Sequence, residues 1–174
     1  DKIVAATGAT VRSVGSGFLR GMGGHLSDGE VIDAAGLRIT VLATPGHTSD
    51  SVSFVLDDAV LTADTVLGRG TTVIDDEDGN LADYLESLRR LQGLGRRAVL
   101  PGHGPELDDL SAVATRYLAH RHERLEQVRL ALRRLGDDAT TRQVVEYVYT
   151  DVDEKLWDVA EKSVRAQLDY LRAP

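Results

Sequence analysis

The sequence predicts an α/β chain in two parts: a sheet-forming part over residues 1–107 and an all-helical part over 108–174. Three observations carry this. Up to about Leu107, short apolar runs alternate with Gly-rich turns, as strands and their connections do. Beyond it glycine becomes scarce and apolar residues recur at helical spacing. Finally, three loops that follow strand-like runs each carry one His or Asp: Thr44-Pro45-Gly46-His47-Thr48, Thr62-Ala63-Asp64-Thr65 and Leu100-Pro101-Gly102-His103-Gly104-Pro105.

Taken in order, Ala9 to Val14 reads as a strand, and the glycines between Gly15 and Gly29 make a loop. Glu30–Asp33 and Leu37–Leu42 read as strands around the Ala35-Gly36 turn. Ser51–Leu56 and Ala59–Thr62 form a hairpin across Asp57-Asp58. Leu81, Tyr84, Leu85, Leu88 and Leu91 follow the i, i+3, i+4, i+7 rule, so an amphipathic helix ends near Gly93 or Gly95. Ala98-Val99-Leu100 is a last short strand leading into the His103 loop. Residues 111–135 form one long helix, stopped by Gly136-Asp137-Asp138. Thr140 or Thr141 caps a second helix through Tyr149, and Asp151 or Asp153 a third to about residue 172. Three such helices suit a small accessory domain, either a winged helix or a plain helical dimerisation element.

The balance of 20 basic against 28 acidic residues, net −8, argues against a whole-surface nucleic-acid binder, while leaving room for a local basic strip. The absence of cysteine excludes a disulfide framework, thiolate metal ligands and a cysteine nucleophile. No apolar run is long enough to span a bilayer and no secretory signal opens the chain, so a soluble cytoplasmic protein is expected. Basic residues other than Lys2, Lys155 and Lys162 are arginines, which points to a GC-rich bacterial coding sequence. The chain opens in mid-element and stops just after a helical pattern, so it is expected to belong to a longer protein.

His47, Asp64 and His103 form the candidate metal site. Neutral imidazoles and a carboxylate, each set on a loop by a preceding strand, suit zinc or a similar divalent ion. Each residue also has a plainer reading: His47 as a turn residue, Asp64 as a helix or turn cap. Their joint occurrence in this order outweighs those readings. His103, in Pro-Gly-His-Gly-Pro, sits in a loop too stiff and too poor in side chains for ordinary packing. A carboxylate at Asp64 can bridge two ions, as two-metal hydrolysis requires.

His25 reads as a surface residue of the glycine loop. His120 and His122, two apart on a helix, cannot share one ion and read as solvated or packing residues. Arg116, Arg121, Arg124, Arg129, Arg133 and Arg134 give the long helix a sign opposite to the whole chain. A solvated face paired with acidic neighbours is the favoured reading; an electrostatic strip for an anionic substrate such as RNA is the other. Gly68-Arg69-Gly70-Thr71-Thr72 lacks the Gly-Lys-Ser/Thr ending of a P-loop.

Together the three motifs resemble the later motifs of the metallo-β-lactamase-fold hydrolases. More narrowly, Gly68-Arg69-Gly70-Thr71-Thr72-Val73, Tyr84-Leu85-Glu86-Ser87-Leu88 and His120-Arg121 resemble the β-lactamase-like protein 2 group, whose members carry a C-terminal winged-helix-like domain. The resemblance implies an αββα sandwich, of which residues 1–107 hold the second half, followed by the helical, winged-helix-like domain of 108–174. It implies that His47 ligates the first zinc, that Asp64 is the catalytic bridge between two zinc ions, and that His103 ligates the second. Gly68, Gly70, Thr71 and Thr72 would border the substrate. A zinc-bound hydroxide would then attack an ester, thioester or phosphodiester. The family's first motif, H-x-H-x-D-H, has no counterpart in these residues, so neither ion has its full ligand set. That reads as truncation rather than degeneration. Such a half would expose sheet edges and core surface, to be covered by a partner or by a second copy in a homodimer.

A single-strand endoribonuclease is the activity the subgroup implies, and a glyoxalase II-like thioesterase shares all three motifs. β-Lactam hydrolysis is disfavoured, because Asp64 stands where the lactamases carry a cysteine- or serine-type residue. A non-catalytic binding or assembly module with a vestigial site is the competing class. A DNA-binding winged helix is opposed by the net charge and by the acidic third helix.

Overall fold

A computed structural model describes residues 2–74, 77–150 and 153–173. Helix α1 (Lys2–Thr7) leads into the glycine loop, and strands β1 (Val31–Ala34) and β2 (Leu37–Ala43) pair across the Ala35-Gly36 turn. Strands β3 (Val52–Val55) and β4 (Ala59–Ala63) form the second hairpin, closed by the Leu56 amide on the Ala59 carbonyl at 2.8 Å. Helix α2 (Leu81–Gly93) crosses over to β5 (Ala98–Pro101), which runs parallel to β4. Among the described residues these five strands make one sheet in chain order, antiparallel except for that last pair. A parallel neighbour needs such a crossover, which is why a helix intervenes here and nowhere earlier in the sheet.

Helix α2 starts where Asn80 accepts the Asp83 amide, and it turns Leu81, Tyr84, Leu85, Leu88 and Leu91 inward. These pack on Val60 and Val99 of the sheet and on Leu110, Val113, Ala114 and Tyr117 of α3 (Leu110–Leu135). Each fully buried leucine contributes about 1.5–3 kcal/mol of transfer free energy. A second cluster joins Val128 and Ala131 of α3 to Val144 and Val145 of α4 (Thr141–Val148) and to Val164 and Leu168 of α5 (Trp157–Arg172). Helix α3 therefore serves both cores, its first half facing α2 and its second half facing α4 and α5.

Thr140 caps α4 through a reciprocal capping box with Gln143. The cap expected for the third helix acts elsewhere: Asp153 accepts the Lys155 amide and closes a 3₁₀ turn over Glu154–Leu156, and α5 then begins at Trp157 without a side-chain cap. Asp151 lies outside the described residues. The strand expected over Ala9–Val14 is not formed. Val11 makes one bridge to Arg20 and Ser13 one to His25, because the neighbouring backbone is the irregular glycine loop, which offers single hydrogen-bonded rungs and no ladder.

Arg90 of α2 reaches across to hold that loop, with bonds to both carboxylate oxygens of Asp28 and to the Ala43 carbonyl. The Ala43 amide and Arg90 keep the Asp28 carboxyl below its usual pKa. The sheet's outer face is apolar at its centre, where Val52, Phe54, Leu61 and Leu100 line a shallow groove of about 220 Å³. No helix of the described residues is long and apolar enough to cross a membrane.

Candidate metal centre

The three sequence motifs meet at the β4–β5 end of the sheet. His47 Nε2 lies 4.0 Å from Asp64 Oδ2, and His103 Nε2 lies 3.5 Å from Asp64 Oδ1. Each imidazole thus faces a different oxygen of one carboxylate.

The backbone explains how Asp64 comes to lie between them. The β4–β5 register slips between Leu61 and Ala63, and Ala63 takes a left-handed φ of 45°. That conformation costs a non-glycine residue roughly 1–2 kcal/mol and re-aims the chain just before the carboxylate. The Gly102 amide donates to the Ala63 carbonyl at 2.8 Å, which draws the β5 loop onto the same spot. A Cβ on Gly102 would stand 2.9 Å from Asp64 Oδ1, so glycine permits that approach.

The His47 ring is oriented from behind. Its Nδ1 lies 2.7 Å from the Val73 carbonyl oxygen. A carbonyl can only accept, so Nδ1–H donates and Nε2 is the ring nitrogen left facing Asp64. The His47 loop itself is seated on α2, where the Asn80 amide donates to the Gly46 carbonyl and the Ser87 hydroxyl to the Pro45 carbonyl. His103 is exposed, and its loop is tied down by the Gly68 amide on the His103 carbonyl at 2.9 Å.

Beneath the three side chains lies a buried hydroxyl network whose role the sequence motifs did not reveal. Thr72 donates to the Asp64 and Thr65 carbonyls, Tyr84 donates to the Thr65 carbonyl, and Thr44 links Thr65 to Ser53. Burial raises the Tyr84 and Tyr117 pKa values, so both phenols stay protonated donors.

Does this donor set suit a cation? Asp64 Oδ1 is buried and has no hydrogen-bond partner among the described residues. Two imidazole nitrogens face its carboxylate at separations that two ligands of one small ion span, roughly 3.3–4 Å. A buried acceptor left unmade costs about 1–3 kcal/mol, and a cation removes that cost. The chemistry fits. Among the described residues, however, no three His, Cys, Asp or Glu side chains close around one point as a metal cage. The arrangement sets one imidazole against each oxygen of a shared carboxylate.

The loop 67–73 separates this centre from the helical part. Tyr117 Oη accepts the Leu67 amide and donates to the Leu67 and Gly70 carbonyls, while the Arg121 guanidinium donates to the Thr72 carbonyl. Gly68, Gly70 and Thr71 border a cleft of about 260 Å³ floored by Tyr117 and His120. Thr71 and Thr72 also border a second cleft, of about 280 Å³, against α3 and α5. His120, read from the sequence as a bystander, borders both clefts, whereas His122 is exposed on α3 and His25 on its loop.

Burial first, then Arg121 and Arg124, hold the His120 pKa below its ordinary 6.5, against a weaker pull upward from Glu123. The sign of the consequence follows. Below pH 6.5 the unfolded chain takes up a proton that the folded chain refuses, so the unfolded state gains protons first and stability falls as pH drops through that value. Denaturation midpoints measured from pH 7.5 to 5 are expected to fall less steeply for His120→Gln than for the wild type. Equal slopes would refute the assignment.

The metallo-β-lactamase superfamily profile matches residues 17–103, and the β-lactamase associated winged helix domain profile matches residues 140–173. Among curated proteins, the atrochrysone carboxyl ACP thioesterase of Aspergillus fumigatus is 36% identical over 116 residues, which is 66% of this chain and 36% of that protein. The β-lactamase-like protein 2 homolog of Caenorhabditis elegans is 33% identical over 129 residues, 73% of this chain and 42% of its own length. Among solved structures, a metallo-β-lactamase family protein from Thermus thermophilus matches with a TM-score of 0.71 at 28% identity, covering 87% of this chain and 50% of that one. The chain spans between about a third and a half of these proteins. Fungal, animal and bacterial relatives all match, so the similarity assigns no source.

Proposed function

The chain belongs to the metallo-β-lactamase superfamily and carries that family's associated winged helix domain, and from this premise we propose that it is part of a metal-dependent hydrolase of acyl esters or thioesters. The observation that carries the proposal is the pair of imidazoles facing the two oxygens of one carboxylate whose buried Oδ1 has no hydrogen-bond partner among the described residues. In this reading His47 and Asp64 hold one divalent ion, and Asp64 and His103 a second, with zinc the expected metal. Bound there, the ions would lower the pKa of water and offset the charge that develops on the substrate's oxygen.

The chain's own residues do the positioning. The Val73 carbonyl fixes the His47 tautomer, and Thr72 and Gly102 hold the backbone on either side of Asp64. His103, open to solvent, lies at the mouth where a substrate would arrive. Gly68, whose amide bonds the His103 carbonyl, and Gly70, Thr71 and Thr72 further along the same loop are the proposed substrate-binding residues.

A compact substrate suits these surroundings better than a polymer. The arginines of α3 do not make a continuous strip: Arg121 is buried over the Tyr84 ring, Arg124 stacks on Tyr149, and Arg129 pairs with Glu126. The similarity to a thioesterase points the same way. Single-stranded RNA is the second substrate to try, because the similarity to β-lactamase-like protein 2 homologs is nearly as strong. Occupancy of the apolar outer face of the sheet by a second copy belongs to the same proposal and is read by sedimentation.

The test uses the complete gene product, purified without chelator and assayed on an acyl thioester and on a single-stranded RNA. Thioester turnover that chelator abolishes and zinc restores is expected. Metal-dependent RNA cleavage without thioester turnover would move the assignment to the nuclease. Neither activity, with no metal bound after reconstitution, would leave a binding or assembly module.

A further inference from the structure

The cleft of about 280 Å³ between α3 and α5 carries features that no other surface of the described residues combines. One wall is cationic, built by Arg121 and Arg124. The opposite wall is apolar, built by Leu156, Val159 and Ala160 of the segment entering α5. None of the described residues lining it is an acid, although the whole chain is at −8. A volume near the lower end of the roughly 300–1,000 Å³ typical of small-ligand pockets leaves room for one small organic molecule.

Polar atoms in this cleft also lack partners. Arg121 is 5% exposed and Gln167 3% exposed, yet Arg121 Nε and Gln167 Oε1 have no hydrogen-bond partner among the described residues. His120 Nδ1 is a third such atom. The Arg121 guanidinium uses one nitrogen on the Thr72 carbonyl and lies over Tyr84; Arg124 bonds Gln127 and lies 4.9 Å over Tyr149. Neither is paired with a carboxylate among the described residues. Arg121 is buried with no counter-anion among the described residues, which is costly, and an anion supplied from outside relieves that cost. Leu156 and Val159, 55% and 50% exposed, meanwhile leave apolar surface facing the same space.

We propose that this cleft binds a small amphiphilic carboxylate, with its anionic head on Arg121 and Arg124 and its apolar body against Leu156, Val159 and Ala160. A bare inorganic anion would use the cationic wall and leave the apolar one wet. A neutral hydrophobe would do the reverse. One ligand satisfying both walls accounts for both observations. The proposal rests on the acyl-hydrolase reading in one respect only: the acid half of a cleaved ester is such a carboxylate, and the wall formed by Thr71–Val73 is shared with the metal centre.

The test is titration calorimetry of the metal-free complete gene product with 2-naphthoate, beside neutral 2-naphthamide and inorganic phosphate. Naphthoate is expected to bind with at least tenfold preference over each. Arg124→Gln and Val159→Asp are each expected to weaken naphthoate binding tenfold or more. Val159 is half-exposed, so its variant keeps the fold, which circular dichroism verifies. Absence of naphthoate binding, equal binding of phosphate, or undiminished binding by both variants would overturn the proposal. The titration is repeated with chelator and with zinc. Binding that requires zinc would place the ligand on the metals and also overturn it. Zinc-independent binding in a protein without hydrolase activity would leave this site standing while the hydrolase assignment falls.

Discussion

Asp64→Asn is expected to lower the affinity of the complete gene product for divalent metal by at least about 100-fold, since losing even an outer-shell partner typically costs 10–100-fold. Both imidazoles face this one carboxylate, so the substitution weakens both ends of the centre at once. Its effect on the metal-free fold has the opposite character. Asp64 Oδ1 is buried without a hydrogen-bond partner among the described residues, and the amide carries no charge to be left there. The thermal midpoint without metal is therefore expected to stay level or rise, while the increase produced by zinc in the wild type disappears. His103→Ala, at an exposed ring, is the companion variant and is expected to lose metal without losing fold. Thermal melts with and without zinc, together with elemental analysis, decide the matter. A wild-type zinc response in both variants would remove these residues from the site.

Gly46→Ala is expected to destabilise the fold by about 3 kcal/mol or more, combining overpacking of 1–3 kcal/mol with a backbone penalty of 1–2 kcal/mol. Gly46 has φ at +133°, and a Cβ there would lie 2.5 Å from the Tyr84 backbone nitrogen, with Tyr84 Cα and Cβ as close. Tyr84 cannot yield, because it is fully buried in the main core and its amide bonds the Asn80 carbonyl. Gly24→Ala is the control, since nothing lies within 4 Å of its added carbon. Chemical denaturation of the two variants should separate them clearly. Equal midpoints would mean the His47 loop is not clamped to α2 as described.

Where the sequence was readable, it was readable through periodicity. The α2 stripe from Leu81 to Leu91, the two hairpins and β5 all follow from alternation or helical spacing, and the structure forms each of them. Ala9–Val14 has the same alternation and fails, because a strand needs a neighbouring edge and periodicity reports nothing about neighbours. The three metal-motif loops were visible as residue types, but the left-handed turn at Ala63 and the Val73 bond to His47 depend on long-range packing that composition does not carry. The cleft residues were partly legible. Arg121 falls in the apolar stripe Leu110, Val113, Ala114, Tyr117, Leu125, Val128, where an arginine is out of place. That single charged position was the signal, and reading the arginines of α3 together as one face concealed it.

The loop 67–73 is bonded on both of its sides. On one, Val73 and Thr72 engage His47 and Asp64; on the other, Leu67, Gly70 and Thr72 engage Tyr117 and Arg121. It therefore acts as a party wall between two rooms that can be refurnished separately. Substitutions on α5 can alter what the helical side accepts without disturbing the residues that face Asp64. Changes at Tyr117 or Arg121 shift the wall itself and are felt in both rooms. A lineage diversifying from this scaffold would accordingly vary first along Leu156–Ser163 and last at those two positions of α3.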